Sequence, residues 1–389
     1  MANTITNLIP LLYESLDVVS REMVGFIPAV AKNSSAERAA LNQTINIPIA
    51  PAATTGDITP AATPPNDGDQ TAGNTTMTIS KSKYSPVRWS GEEIKSVSGS
   101  GVSQAFIRDQ FAQSMRALVN LVEVDLAALS VSASRAYGTA GTSPFASAND
   151  LSGFAQANKI LDDNGAPVGN RRLVLGSAAK ASLQGVQSVL FKANEAGSDL
   201  LLRKGIIGEV QGLLVHNSAA VRKSVAAGTG ASATTNTAGY AIGATSITLA
   251  VAGTGTILTG DSITITGDPE KYVVVTGTGA VSGATITIQE PGLMKAIPAS
   301  ATAITVTAAT DHNMAFDGNA IQLITRAPAL PDGGDMADDR TMIVDPVSGL
   351  AFEVSVYREY RRVKYEVALA WGVKMVAPRH TMRLIGPAS

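Results

Sequence analysis

The sequence predicts an α+β protein with a small all-β unit inserted in its second half. Three observations predict it. An apolar stripe at helical spacing runs through about 102–137 without a proline. Segments on either side of it, at 44–49, 350–356 and 363–373, alternate apolar and polar as strands do. Between about 221 and 309 charge nearly vanishes, and short alternating runs are separated by Gly- or Pro-containing turns. At 389 residues the chain is long enough for two or three domains and for a core that needs no metal or disulfide.

Leu12, Leu16, Val19 and Met23 recur at three- and four-residue steps behind Pro10, with Asn7 as cap, and predict an amphipathic leading helix that Gly25 and Pro28 end. Nothing beside it forms a core, so it is expected to dock on a neighbouring domain or subunit. A strand at 44–49 places Ile45, Ile47 and Ile49 on one face, and a return strand at 76–84 places Met77 and Ile79. The tract between them is rich in Pro, Gly and polar residues and fits neither helix nor central strand. The two strands then form a long arm. Because an isolated hairpin is marginal in water, the arm is expected to lie on another chain, held there by Ile45, Ile47, Met77 and Ile79.

The long helix carries Phe106, Phe111, Met115, Leu118, Val122, Leu126 and Leu129 on its stripe. Arg108, Asp109, Arg116, Glu123, Asp125 and Arg135 decorate the rest, and Gly138 is placed to stop it. From Asn149, read as a cap, the pattern turns mixed: a helix to Asp163 closed by Gly165, a strand at 172–175, a helix from 177, and a strand at 213–216. It resumes at 313–316 and 320–325 to complete one central sheet. The block 221–309 begins and ends inside this region and reads as an inserted small barrel or sandwich. The last segment again predicts long strands.

Composition removes several functions. The chain has no cysteine, which excludes disulfides, thiolate metal sites and a thiol nucleophile, and its three histidines, His216, His312 and His380, are scattered. No run reaches the ~20 apolar residues of a membrane helix, and Glu14 and Asp17 with no basic leader do not read as a signal peptide. No phosphate-binding loop, zinc motif or nucleophile elbow is found, so no catalytic, cofactor-binding or metal-binding residue and no cofactor is expected, and the chain is not expected to be an enzyme. The clusters Asp67/Asp69 and Asp332/Asp335/Asp338/Asp339 match no Ca²⁺ loop and read as solvated turns. Arg358, Arg361 and Arg362 are interleaved with Glu359 and Glu366 and are expected to bridge subunits. Charged residues make up 16% of the chain, well under the ~25% of an ordinary domain, and such a surface does little to keep copies apart. The net charge of −2 argues against tight wrapping of nucleic acid.

The order of elements resembles the major capsid proteins of tailed bacteriophages, the Hong Kong 97-type fold. The insert, LTGDSITITG (Leu258–Gly267), NMAFDGNAIQLITRAP (Asn313–Pro328) and ALAWGVKMVAPRH (Ala368–His380) are similar to the coat proteins of the short-tailed Salmonella phages. The resemblance implies an N-terminal arm (1–40), an E-loop hairpin arm (41–90), a peripheral domain (91–148 and 335–389) around a spine helix at 102–137, an axial domain (149–220 and 310–334) and an inserted β-barrel (221–309). It implies pentamers and hexamers of an icosahedral shell around double-stranded DNA. The partners it implies are the chain itself, a scaffolding protein, the portal and weak non-specific contact with DNA, with no membrane, in a virion assembled in the host cytoplasm. Family inserts that bridge capsomers use a long charged loop, whereas Gly228–Gly239 is uncharged. Glu14 and Asp17 are expected to meet a basic scaffold surface; scaffold binding unchanged by reversing both charges would contradict that. A second reading is another self-associating virion or surface-layer protein with an adhesive β-domain.

Overall fold

The computed structural model describes residues 24–49, 53, 55–60, 63, 68, 73–98, 103–187, 207–344 and 349–388. The expected leading helix, Asp67, Asp69 and most of the tract between the arm strands lie outside them.

The first part of the chain forms β1 (Ala31–Ala39), β2 (Thr44–Ile49), β3 (Gly73–Thr78), β4 (Lys81–Ser90), α1 (Gly91–Ser98) and α2 (Ser103–Ala128). A 3-10 turn, Leu129–Ser132, leads into β5 (Arg135–Tyr137). Then come α3 (Ser152–Asp163), β6 (Arg171–Leu175), α4 (Ser177–Val186), β7 (Glu209–Val210), β8 (Leu213–Asn217) and β9 (Arg222–Val225). The low-charge block supplies β10 (Ala233–Thr234), β11 (Ser246–Thr248), β12 (Ser262–Ile265), β13 (Lys271–Thr276), β14 (Thr285–Ile288) and β15 (Ala303–Val306). The chain ends with β16 (Thr310–Asp317), β17 (Ile321–Pro328), β18 (Asp339–Val344), β19 (Ala351–Glu359), β20 (Arg362–Met375) and β21 (Thr381–Gly386).

Two layers meet on α2. One sheet runs β1–β17–β20–β19–β18, with β4 on the other side of β20. The second contains β5–β21–β16–β6–β8–β7. Phe111, Met115, Leu118, Val122 and Leu126 of α2 share one core with Leu369 and Trp371 of β20, Val354 of β19, and Met314 and Phe316 of β16. Ala315, one residue out of phase on β16, faces the other way into a core built on Phe154, Ile160 and Leu161 of α3 and Leu183 of α4. Strand alternation thus lets β16 serve both sides.

The long helix is shorter than expected. It stops at Ala128, and Ala133 is already extended at φ −63° and ψ 152°. Residues 135–137 form a strand between β21 and β13, not the last turns of a helix over 102–137. The serine-rich LSVSAS stretch is a weak helix former. Ser134 instead gives both its N–H and its hydroxyl to the Thr381 carbonyl, and the ladder with β21 wins. Arg135, expected on the helix surface, is buried in that strand. Asn149 does not cap α3: it lies at φ 57°, and Asp150 Oδ1 accepts the Ser152 N–H at 2.8 Å. Gly165 closes α3 as expected, at φ 71° with its N–H on the Asp162 carbonyl.

The 221–309 block has its own core, with Ile247, Ile263, Tyr272, Val274, Ile286 and Ile304 buried. Its strands pair in the order β10–β15–β12–β13–β14–β11. A bridge between Thr235 and Leu249, with the Ala250 N–H on the Thr234 carbonyl, joins the last strand back to the first.

Candidate assembly surfaces

The arm is built as the alternation predicts, in the register Ile45↔Met77 and Ile47↔Thr75. Its return strand is not continuous over 76–84, however. The chain breaks at Ile79–Ser80, where the Ile79 N–H bonds the Gln43 carbonyl and the Ser80 N–H bonds the Trp371 carbonyl, and then continues as β4 in the main sheet. Met77 and Ile79 are buried against Ala39, Ile324 and Ala370 of the same chain, with Ile45 and Ile47 half-covered beside them. For Met77 and Ile79 this corrects the expectation that they hold a neighbouring subunit: the sheet end formed by β1, β17 and β20 is close enough to bury them. Lys374 Nζ adds bonds to Thr75 Oγ1 (2.8 Å) and the Thr76 carbonyl (2.7 Å). Gly372 makes the approach possible, since a Cβ there would stand 2.1 Å from the Thr78 carbonyl oxygen. Beyond this root, β2 and β3 pair only with each other among the described residues, and Ile58 is 99% exposed. Lys374→Met, which removes two of the root's bonds, is expected to cost about 1–2 kcal/mol in urea unfolding and to speed amide exchange at Thr76–Thr78.

The helix is tied to the sheet by polar groups at both ends of its buried face. Trp371 Nε1 donates to Asp125 Oδ2 (2.8 Å), whose other oxygen pairs with Lys81, and Trp89 Nε1 donates to Gln110 Oε1 (2.9 Å). At the β19–β20 turn an open cavity of about 710 Å³ is lined by Trp89, Ile94, Arg358, Tyr360 and Arg362, and Tyr360 is 88% exposed. Arg358 pairs with Asp338 of its own chain at 3.2 Å. Asp335 is likewise occupied by Arg340 and the Tyr357 hydroxyl. Among the described residues no group of three His, Asp or Glu side chains is placed to hold a metal ion, and no helix is long and apolar enough to cross a membrane.

Three buried ionic sites were read in the sequence only as decoration or not at all. Glu123 faces inward from α2. Its Oε1 accepts the N–H groups of Phe26 and Ile27, and its Oε2 those of Phe26 and the Ser218 hydroxyl, all at 3.1 Å. Gly25 lies against the Asn217 carbonyl, from which a Cβ would be 2.8 Å away, and against Ser218 Cβ. Burial lifts the Glu123 carboxyl from 4.5 to about 7, against the pull of those donors. The folded chain therefore holds this proton more tightly than the unfolded one. The stability it contributes is complete below about pH 4.5 and is lost as pH rises through about 7. Glu123→Gln keeps an acceptor for the two N–H groups without the charge, and is expected to stabilise the chain at about pH 8 by on the order of 3 kcal/mol while changing little at about pH 4. Urea unfolding across that range checks it.

The other two sites fix the low-charge block to the second sheet. Arg383 of β21 donates to the Gly260 carbonyl (2.8 Å), Ser262 Oγ (2.6 Å) and His312 Nδ1 (3.2 Å). Burial pulls its guanidinium down to about 9, and burial with the nearby Arg383 and Arg222 charges keeps His312 neutral. On the adjacent strand, Arg135 reaches Glu270 (3.0 Å), the Ile160 carbonyl and Asn164. The one signal in the sequence is an arginine inside an otherwise apolar run, MRLI at 382–385, which reads as a buried strand with a buried charge.

No protein-family model matches the chain, and no curated protein matches it. Among solved structures it is similar to one of Mycobacterium phage Che8, with 15% identity over 89% of this chain and 85% of that chain and a TM-score of 0.44. It is similar to the capsid structure of the cyanophage P-SCSP1u, with 12% identity over 93% and 87% and a TM-score of 0.43. The virus-like particle from Pyrococcus furiosus matches with 8% identity over 97% and 100% and a TM-score of 0.44.

Proposed function

We propose that the chain is the major capsid protein of a tailed bacteriophage, with the Hong Kong 97-type fold and an inserted β-barrel at 221–309, of the kind found in short-tailed Salmonella phage coats. Many copies assemble as pentamers and hexamers into an icosahedral shell around double-stranded DNA. The domains are those set out from the resemblance, with the spine helix ending at Ala128. A scaffolding protein and the portal are its partners during assembly in the host cytoplasm, and the role is mechanical, not enzymatic.

The arm carries the reading. It is a ribbon rooted on its own sheet but, among the described residues, paired with no third strand along either outer edge, with an exposed isoleucine beyond the strands. Unpaired edges of this kind recruit another chain. Low charge supports close packing of copies, and a net charge of −2 supports a lining along which DNA slides without being gripped. Weak contacts suffice because closure multiplies them.

Replacing residues 50–72 with a short Asn-Gly turn tests the arm. Sedimentation velocity is expected to show large, concentration-dependent species for the full chain and slow, small species for the variant. Identical sedimentation of the two as monomers would contradict the proposal.

A further inference from the structure

The seam between the 221–309 block and the second sheet holds a buried N–H that no protein group accepts. His312 of β16 is 3% exposed. Its Nδ1 faces Arg383 Nη1 at 3.2 Å and Ser130 Oγ at 3.3 Å. A guanidinium has only hydrogens to give, so Nδ1 is the acceptor and does not carry the ring proton. Burial and the charges of Arg383 and Arg222 keep the ring neutral. The single proton of that neutral imidazole therefore sits on Nε2, which has no acceptor among the described residues.

Other groups at the same place have bonding capacity to spare. His312 lines a small cavity of about 10 Å³ with Asp261, Ser262 and Thr310. Ser262 Oγ accepts from Arg383 Nη2 at 2.6 Å, which leaves its own O–H to be donated. The Asp261 carboxylate accepts the N–H groups of Gly228 (3.0 Å) and Leu258 (2.7 Å), and a carboxylate has room for about four such bonds. Thr310 is 4% exposed, and its hydroxyl makes no bond among the described residues. Two donors and two acceptors thus border one small space.

We propose that this cavity is the seat of one internal water, which accepts from His312 Nε2–H and the Ser262 hydroxyl and donates to the Asp261 carboxylate and Thr310 Oγ1. The space admits about one water molecule. The chemistry selects the same occupant. A cation is refused by the N–H of His312 and an anion by the Asp261 carboxylate, whereas water both gives and accepts two bonds. Asp261 and Ser262 belong to the low-charge block, and His312 and Thr310 to β16. The water is then a second polar joint across the seam, beside the direct one made by Arg383. This inference does not depend on the capsid reading.

The test uses the unaltered full-length chain, so it does not hang on a variant that folds poorly. Its structure, determined at a resolution that places ordered waters, is expected to show one water within hydrogen-bond distance of His312 Nε2, Ser262 Oγ and the Asp261 carboxylate. In proton–nitrogen spectra of the chain with labelled histidine, His312 is expected to be protonated on Nε2 and bare on Nδ1. Its Nε2 proton is expected to show cross-relaxation with a long-lived water. Density that leaves the cavity empty would overturn the proposal. So would an Nε2–H bonded directly to a protein acceptor, or a ring proton found on Nδ1.

Discussion

Arg383→Met should lower the free energy of unfolding by about 3–5 kcal/mol, among the largest losses available to a single side chain in this protein. The methionine fills much of the space but donates nothing. The Gly260 carbonyl, Ser262 Oγ and His312 Nδ1 each lose the guanidinium as a donor in a site closed to water. Asp261, whose carboxylate accepts the Gly228 and Leu258 N–H groups, also loses the nearby positive charge. The cost falls at the seam between the 221–309 block and the second sheet. Urea unfolding followed by amide exchange should therefore show Gly228, Leu258 and Gly260 losing protection before the α2 core does. A loss under about 1 kcal/mol would mean that Arg135, with its bonds to Glu270 and Asn164, holds the seam alone.

Gly372→Val should uncouple the arm from the sheet. The glycine is needed for space, not for an unusual backbone angle, because any Cβ at this position collides with the Thr78 carbonyl oxygen at 2.1 Å and approaches Ile79 Cα at 3.4 Å. The clash is with backbone, so no rotamer relieves it, and either β20 or the root of the arm must shift. The root is held by fewer bonds and moves first. The Ile79 and Ser80 amides, which bond Gln43 and Trp371, are expected to exchange about a hundredfold faster, equivalent to about 2.7 kcal/mol. Trp371 packs with the α2 core and should keep its protection. Unchanged exchange at Ser80 would show that the arm is not seated through this contact. If the arm joins copies, the same variant should also assemble poorly, because its direction of projection is no longer fixed.

The regular elements were legible in the sequence wherever one period dominated. The stripe from Phe111 to Leu126 became α2, the alternation from Val363 to Val373 became β20, and Ile45 and Ile47 took their places on β2. Ambiguity began where small residues satisfied two periods at once. Ala133 and Ala136 fit the end of a helical stripe and also a strand, and only β21, nearly 250 residues later, decides between them. β1 was hidden because AKNSSAERA has no alternation; it is held by parallel pairing to β17 and by Arg326 reaching Asn33. β18 was hidden behind the acidic turn that precedes it, its charges absorbed by Arg340 and Arg358. The arm's strands were readable, but which surface buries Met77 and Ile79 was not. That depends on the sheet end assembled from β1, β17 and β20. Glu123 looked like surface charge, and the tie made by Arg383 was not visible, for the same reason: their partners include backbone groups distant in sequence, which side-chain patterns do not encode.

Electron microscopy of the purified full-length chain, raised in concentration until it associates, is the most direct examination of the assembly claim. Closed shells or five- and six-membered rings, lost when residues 50–72 are replaced, are the predicted outcome. Sheets or fibres would favour a surface-layer or other virion component, and compact monomers at every concentration, with or without the arm's outer part, would contradict self-assembly into a shell.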